Sequence, residues 1–404
     1  MSGWKLQRQF TRRHSVLVFS LPFLTLTAIF TNEYVLFSFA LFFVLLLTVN
    51  KWYLDYACSR ITIPRGNEVK RIFPGELATL QLPIEYSGKV PIFSGKLSYF
   101  LYDTDGAVLL AAEERSSANL REEHRFSVPP LTKRVYDLQV KGVKRGTAQI
   151  RSLELVVHDI FQFSSIHLTY AGSYRSEVIV YPEIRSFHGL EKIIQQEQGA
   201  QPRSFSLYED VMMTRGNRKY TTGDPFNRIN WKASARAEQL QTKIYEKITV
   251  SMWTIVINVK SKLRTRQTID FFEEALSQAA YTCQYAAKHD ISFEIFVNIK
   301  MPGTMTGLHL PYGNGKHHLL RALELLARLR ASNVTVPVEN MLHAVFQQPV
   351  QQQCILHFGA YGEEEERKYS MERQDGKTIY YVQTTGDGVY LTMAGGRQHE
   401  SAAT

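Results

Sequence analysis

The densest cluster of chemistry-bearing side chains lies between Tyr208 and Ile248. Arg215, Arg218, Lys219, Arg228, Lys232 and Arg236 surround the tripeptide Gly223-Asp224-Pro225, with Tyr220 and Trp231 interleaved. Pro225 fixes its own φ and biases Asp224 toward extended backbone, so the tripeptide predicts a turn. A carboxylate among arginines has two physical uses. It forms a structural ion pair or turn cap, because buried charges persist only when paired, or the basic and aromatic groups form an interaction surface. The structural use ranks first, with Asp224 paired to Arg236 or Arg215 and bracing the domain that follows.

The other candidates are poorer. His158-Asp159 has the composition of a dyad, but neighbours on a strand point to opposite faces, so a strand-end turn is expected. Gly313-Asn314-Gly315-Lys316 departs from a P-loop, since Leu310 stands at the first glycine and His317 follows the lysine. His317 and His318 diverge on a helix and are expected to be solvated at its start. Glu363 to Glu366 reads as a solvated acidic face or a helix N-terminus. Cys58, Cys283 and Cys354 are far apart and odd in number, which fits a reducing compartment and neither a disulfide framework nor a CxxC pair. None has an obvious His/Asp setting for nucleophilic chemistry. These residues predict no catalytic group, no metal ligand set and no cofactor.

The elements that must position the cluster are of three kinds. Ser15 to Asn32 and Tyr34 to Asn50 are uncharged and mostly apolar, with only Asn32 and Glu33 at the joint between their apolar runs. Each is slightly short of the ~20 residues that span a bilayer core, and together they predict a tight antiparallel transmembrane hairpin. A cleaved signal peptide is discounted, because no A-x-A-like site follows and a second apolar segment begins at once. Lys5, Arg8, Arg12 and Arg13 precede the hairpin, Lys51 and Arg60 follow it, and Glu33 is the lone loop charge. The positive-inside rule then places both ends in the cytoplasm. Of the net +9, residues 1–71 hold nine bases against three acids, and residues 203–247 nine against five. The first concentration lies where anionic headgroups attract it. Nucleic acid is the weaker reading, because no binding motif accompanies the charge.

From about Ile61 to Tyr181 the period becomes two: Leu80, Leu82, Ile84 and Tyr86; Tyr136, Leu138 and Val140; Leu153, Leu155 and Val157. Turns are supplied at Asp105-Gly106, Lys141-Gly142 and Arg145-Gly146, and the pattern predicts an immunoglobulin-like β-sandwich. Gln195 to Pro202 is polar and reads as an exposed loop. Beyond it, the apolar run Met252–Val259 predicts a buried parallel strand. Ile269, Phe272, Leu276, Ala279, Cys283 and Ala286 mark a helix face, as do Leu319, Leu323, Leu326 and Leu329. Strands alternating with helices predict a Rossmann-like, doubly wound sheet.

The segment beginning at Tyr220 resembles the hallmark of the family called domain of unknown function 58, Y-x-x-G-D-x-x-x-x-I-x-W-K-x-S-A-R. Tyr220, Gly223, Asp224, Ile229, Trp231, Lys232, Ser234, Ala235 and Arg236 stand in the matching places. Lys144-Arg145-Gly146 and His158-Asp159-Ile160-Phe161 resemble the family's R-G and D-P-F-G elements, with Ile160 and Gln162 where Pro and Gly are usual. The resemblance implies a membrane hairpin, a β-rich module, the signature and a von Willebrand A-like C-terminal domain. It also implies a MoxR-type AAA+ ATPase as a candidate partner, and no biochemical activity. In metal-binding von Willebrand A domains the first strand ends in D-x-S-x-S. Aligned with it, Asn258, Lys260 and Lys262 take the ligand positions and Ser261 falls out of register. Lysine offers no acceptor, whereas hard cations need anionic oxygen, so metal-dependent recognition is expected to be lost.

The expectation is therefore an α+β multidomain membrane protein. Residues 1–52 form the anchor, 61–181 the sandwich, 182–248 a linker with the signature, and 249–404 the von Willebrand A-like α/β domain. It is expected in the cell membrane, multi-pass, with both termini and the soluble domains cytoplasmic, and with membrane lipids and a protein as partners. The site is the signature: Arg215, Tyr220, Gly223, Asp224, Pro225, Ile229, Trp231, Lys232, Ser234 and Arg236. The expected role is a scaffold or adaptor. The competing reading is an envelope-associated, hydrolase-like enzyme whose site is assembled only in the fold. An exposed surface around the signature favours the first; a titratable cluster in a deep pocket favours the second.

Overall fold

A computed structural model describes residues 3–31, 33–64, 66–103, 105–110, 119–172, 174–199, 209–247, 252–261, 268–347, 353–372, 378–385 and 388–394. Its contacts divide the chain into two units, Met1–Glu183 and Ile184–Thr404.

In the first unit, β1 (Trp4–Phe10) leads into α1 (Arg12–Thr31) and α2 (Tyr34–Ser59). Then follow β2 (Ile61–Thr62), β3 (Val69–Ile72), β4 (Leu77–Tyr86), β5 (Ile92–Asp103) and β6 (Val108–Leu110). After them come β7 (Asn119–Val128), β8 (Thr132–Gly142), β9 (Gly146–His158), β10 (Ser164–Tyr170) and β11 (Glu177–Val180). One sheet runs β1-β10-β9-β11-β3, with β5 pairing β9 and β7; the other runs β2-β4-β8-β6. Alternation decides what the sheets bury. Leu80, Leu82 and Ile84 of β4 and Leu153, Leu155 and Val157 of β9 point into one core between the sheets. Each such side chain contributes about 1.5–3 kcal/mol relative to exposure.

α1 and α2 are long and apolar enough to cross a membrane. Phe19, Phe23, Phe30, Leu41 and Leu45 are exposed on them, a patch far larger than isolated surface apolar residues form. The apolar segment read as ending at Asn50 continues as helix to Ser59. Its last turns change environment, for Tyr53, Leu54, Ala57 and Cys58 sink into the sandwich core. Residues 4–10 differ from their reading as a charged lead-in to the hairpin. They form β1, antiparallel to β10 from Trp4↔Tyr170 to Phe10↔Ser164, with Trp4 Nε1 donating to Ile61 O at 3.1 Å and Arg8 paired with Asp55.

In the second unit, α3 (Leu190–Gly199) covers part of the stretch read as an exposed loop; residues 200–202 lie outside the described ones. The signature follows as β12 (Glu209–Lys219), α4 (Trp231–Ala237) and β13 (Gln241–Lys247). Next come β14 (Met252–Asn258), α5 (Phe272–Lys288), β15 (Ser292–Val297), β16 (Leu308–Gly313) and α6 (Gly315–Arg328). The last are α7 (Val338–Phe346), β17 (Gln353–Gly359), α8 (Glu363–Glu372), β18 (Thr378–Thr385) and β19 (Gly388–Met393).

The sheet order is β16-β15-β14-β17-β18-β19. β15, β14, β17 and β18 are parallel, and β16 and β19 are antiparallel edges. Helices cover both faces. Val256, Phe296, Ile355 and Ile379 pack under α7 and Tyr369 of α8, while Trp253, pointing the other way, stacks on Tyr285 of α5. Burial on both sides is why β14 reads as a continuous apolar run.

Candidate functional site

The signature is a β-hairpin with an elaborate connection. β12 and β13 pair antiparallel from Lys219↔Gln241 to Glu209↔Lys247. Arg215 falls in a bulge, between the registered pairs Thr214↔Tyr245 and Gly216↔Ile244, and is exposed. At the hairpin's closed end Tyr220 N donates to Leu240 O at 2.9 Å.

Asp224 organises the connection. Its oxygens accept from Arg218 Nη2 at 2.6 Å and Nη1 at 2.8 Å, from Thr221 N at 3.0 Å, and from the Thr221 and Thr242 hydroxyls at 3.1 Å. The Arg218 guanidinium, with these donors, holds the Asp224 carboxyl well below the usual carboxylate range. The partner expected from sequence was Arg236 or Arg215. It is Arg218, one residue before the end of β12, and every described partner lies within the hairpin. Asp224 therefore closes its own loop and does not brace the α/β sheet.

The remaining signature residues divide into builders and displayed groups. Pro225 (φ −61°) precedes a short 3₁₀ turn, Phe226–Arg228. Ile229 is buried and bridges Thr242. Asn230 caps α4 by accepting from Ala233 N at 3.2 Å, and donates to Asn217 Oδ1 at 2.8 Å. Buried Ser234 donates to Asn230 O at 2.8 Å and accepts from Gln241 N at 2.9 Å, which ties α4 to β13. Tyr220 Oη donates to Asp224 O at 3.2 Å and its ring meets Phe226 edge-on.

Against this rigid frame Trp231 is 63% exposed and Phe226 70% exposed. Lys232 and Arg236 are exposed on α4. Gly223 is exposed, and a Cβ built there meets no heavy atom within 4 Å. Sequence reasoning missed Phe226, Thr221 and Thr242, whose roles depend on pairing across the loop. Tyr208 and Ile248, which bound the stretch, lie outside the described residues.

The position aligned with a metal-binding strand end is built for another purpose. Asn258 Oδ1 accepts from Asn298 Nδ2 at 2.7 Å, and its Nδ2 donates to Ala360 O and Glu365 Oε1, both at 2.9 Å. Both ends of the amide are thus engaged within the protein. Lys262 lies outside the described residues. Among the described residues, no group of three or more His, Cys, Asp or Glu is placed to hold a metal ion.

Two solvated-residue expectations are corrected here. Glu363 to Glu366 do open a helix, α8, as one of the two readings had it, but Glu365 is buried on it, with Asn258 donating to its carboxylate. His318 is buried too, its Nε2 2.9 Å from Phe293 O, and burial lowers its pKa. His158-Asp159 does end a strand in a turn: Asp159 accepts from Phe163 N at 2.9 Å and Ser164 N at 2.8 Å.

Outside the signature, one titratable pair stands out. Glu294, 1% exposed, lies 3.0 Å from His309 Nε2 and accepts from Thr254 Oγ1 at 2.7 Å. In the sandwich, an open cleft of about 420 Å³ is lined by Phe93, Lys96, Arg125, Arg134 and His158. Lys96 there faces Glu123, and Arg134 donates to Ser127 O.

Comparison with known proteins gives a family match over part of the chain. Residues 216–354 match the family described as protein of unknown function DUF58. That span is roughly a third of the chain and takes in the connection, α4 and the sheet as far as β17, so it supports the resemblance carried by the signature. No curated protein matches the chain. Among solved structures, a human ASH/PapD-like domain is similar at 10% identity, covering 30% of this chain and 84% of that one, with a TM-score of 0.18. A CARDB domain from Pyrococcus furiosus is similar at 12% identity, covering 30% and 89%, with a TM-score of 0.17. A cohesin from Archaeoglobus fulgidus is similar at 10% identity, covering 35% and 99%, with a TM-score of 0.19. Scores this low carry no fold argument; the sandwich stands on its strand pairings.

Proposed function

We propose that this protein is a membrane-anchored docking protein whose DUF58 signature presents a preformed aromatic and basic surface to a partner protein. The observation that carries it is the exposure of Trp231 and Phe226 on a loop locked by Asp224. Tryptophan and arginine dominate interface energetics, and a rigid platform loses little entropy on binding. Gly223 leaves that side of the loop open, since a Cβ built there meets no heavy atom within 4 Å. In this reading the α1–α2 hairpin spans the membrane, with both termini and the soluble units on the cytoplasmic side, as the flanking Lys and Arg favour. The second-unit sheet, in chain order 3-2-1-4-5-6, is read as Rossmann-like and von Willebrand A-like, and the sandwich as immunoglobulin-like. The partner of first choice, from the family resemblance, is a MoxR-type AAA+ ATPase. An acidic docking face on it would complement Arg215, Lys232 and Arg236.

The test is capture of that ATPase by the full-length, detergent-solubilised chain. Removing a central tryptophan costs about 2 kcal/mol or more, roughly a 30-fold loss of affinity. Trp231→Ala with Phe226→Ala should lose the complex while melting as the parent does; unchanged binding sinks the proposal. The enzyme alternative rests on Glu294 and His309, a buried carboxylate orienting a part-exposed imidazole. It predicts a hydrolytic activity that His309→Ala abolishes while Trp231→Ala leaves it intact.

A further inference from the structure

An open cleft of about 660 Å³ lies where the hairpin meets the sandwich, lined by Arg12, Arg13, Val16, Leu17, Phe43 and Phe163. Its volume falls within the roughly 300–1,000 Å³ of small-molecule sites. The lining is split by chemistry. Two guanidinium groups stand at the first residues of α1, and beyond them the wall is apolar and shared by both helices. Among the described residues, neither arginine is paired with a carboxylate, whereas nearby Arg8 is already taken by Asp55.

The rim is held in place. Thr11 donates to Phe163 O from its backbone N at 3.0 Å and from its hydroxyl at 2.7 Å. Asp159 closes the β9–β10 turn through Phe163 N, Ser164 N and the Ser164 hydroxyl. The same turn exposes Ile160 and Phe161. With α1 and α2 read as membrane-spanning, the start of α1 sits at headgroup depth, and this turn, bonded to Thr11, lies beside it.

We propose that the cleft holds one anionic phospholipid, its phosphate on Arg12 and Arg13 and an acyl chain along Val16, Leu17 and Phe43. The proposal rests on the membrane-spanning reading of α1 and α2. Guanidinium forks match phosphate oxygens bidentately, and they gain strength beside an apolar wall. A soluble acidic peptide would neutralise the arginines but leave Val16, Leu17 and Phe43 wet. A zwitterionic lipid would cover the wall but bring no net charge to the guanidinium pair. Only an anionic lipid satisfies both halves.

The full-length chain, reconstituted in phosphatidylcholine nanodiscs with a minor fraction of phosphatidylglycerol, is released for native mass spectrometry. Sodium carbonate washing of its native membranes is read first; a chain that washes off overturns the membrane reading and this inference with it. For a chain that stays, the parent is expected to retain one phosphatidylglycerol in preference to phosphatidylcholine, undisplaced by excess inorganic phosphate. Arg12→Gln/Arg13→Gln should lose it, and so should Leu17→Trp, which fills the apolar half without changing charge. Lys5→Gln/Lys51→Gln removes the same charge from outside the cleft and should keep it. Equal loss in that control, displacement by phosphate, or no preference in the parent each overturns the site while leaving the membrane reading standing.

Discussion

The side-chain amides of Asn258, the last residue of β14, and Asn298, just past β15, bond directly, with Asn298 Nδ2 2.7 Å from Asn258 Oδ1. The bond fixes which end of Asn258 faces Glu365, so a neutral donor meets a buried carboxylate at 2.9 Å. Asn258→Asp would replace that donor by a second carboxylate, removing one of the two donors to Ala360 O and putting two like charges in contact. Uncompensated buried charge costs roughly 3–5 kcal/mol. The variant should melt well below the parent at pH 8. Repulsion raises the pair's folded-state pKa above the unfolded value, so the deficit should shrink as pH falls toward 5. An equal deficit at both pH values, by differential scanning fluorimetry, would show that the pair is not coupled.

Asp224 and Arg218 allow a test of the hairpin lock. The Asp224 carboxyl is held low, first by Arg218 and then by Thr221. A depressed acid contributes stability above its unfolded pKa and loses it as pH falls below about 4. Asp224→Asn should therefore lower the melting temperature at pH 7, with a deficit that begins to shrink below about pH 4 and is smaller at pH 3 without vanishing there, and Arg218→Gln should behave alike. Arg236→Gln and Arg215→Gln should melt as the parent does at both. If Arg236→Gln were instead the destabilising change, the observed pairing would be wrong.

How much of this was legible in sequence depended on the range of the interaction. The stripe Leu80, Leu82, Ile84 and Tyr86 announced β4 because a strand's alternation is local. β14 was visible as an unbroken apolar run for the same reason. β1 was not, because it is an edge strand with Leu6 and Phe10 exposed, and its partner β10 lies some 160 residues away. The choice of Arg218 over Arg215 and Arg236 follows from hairpin register and the bulge at Arg215, which composition does not encode. Glu365 looked solvated because its environment is set by Asn258, 107 positions earlier.

The orientation proposed for the hairpin rests on charge alone and is open to a direct check. Alkaline phosphatase fused after Thr404 should be inactive, and inserted beside Glu33 it should be active, because cationic flanks stay in the cytoplasm. Replacing Arg12 and Arg13 by glutamine while adding lysines at the Glu33 loop should weaken or reverse the pattern. High activity from the C-terminal fusion in the parent would reverse the assigned topology.

His357 makes the α/β sheet sensitive to acid. It is buried on β17, with Nδ1 2.7 Å from Tyr369 Oη and Nε2 2.8 Å from Ala360 O. The carbonyl only accepts, so Nε2 carries the proton and Nδ1 accepts from the tyrosine; a second proton would break that bond inside the core. Burial pushes the imidazole down from 6.5 to about 4. Between those values the unfolded chain binds the extra proton and the folded chain does not, so stability rises with pH through this window and is lost as pH falls through it. The full effect is roughly 3 kcal/mol, reached near pH 4. His357→Gln can keep a donor toward Ala360 and an acceptor toward Tyr369 without titrating. Its melting temperature should fall less than the parent's between pH 7 and pH 4.5, the remaining slope belonging to His318 and the carboxylates. Parallel curves for parent and variant would show that His357 is protonated in the fold or that its protonation is not coupled to unfolding.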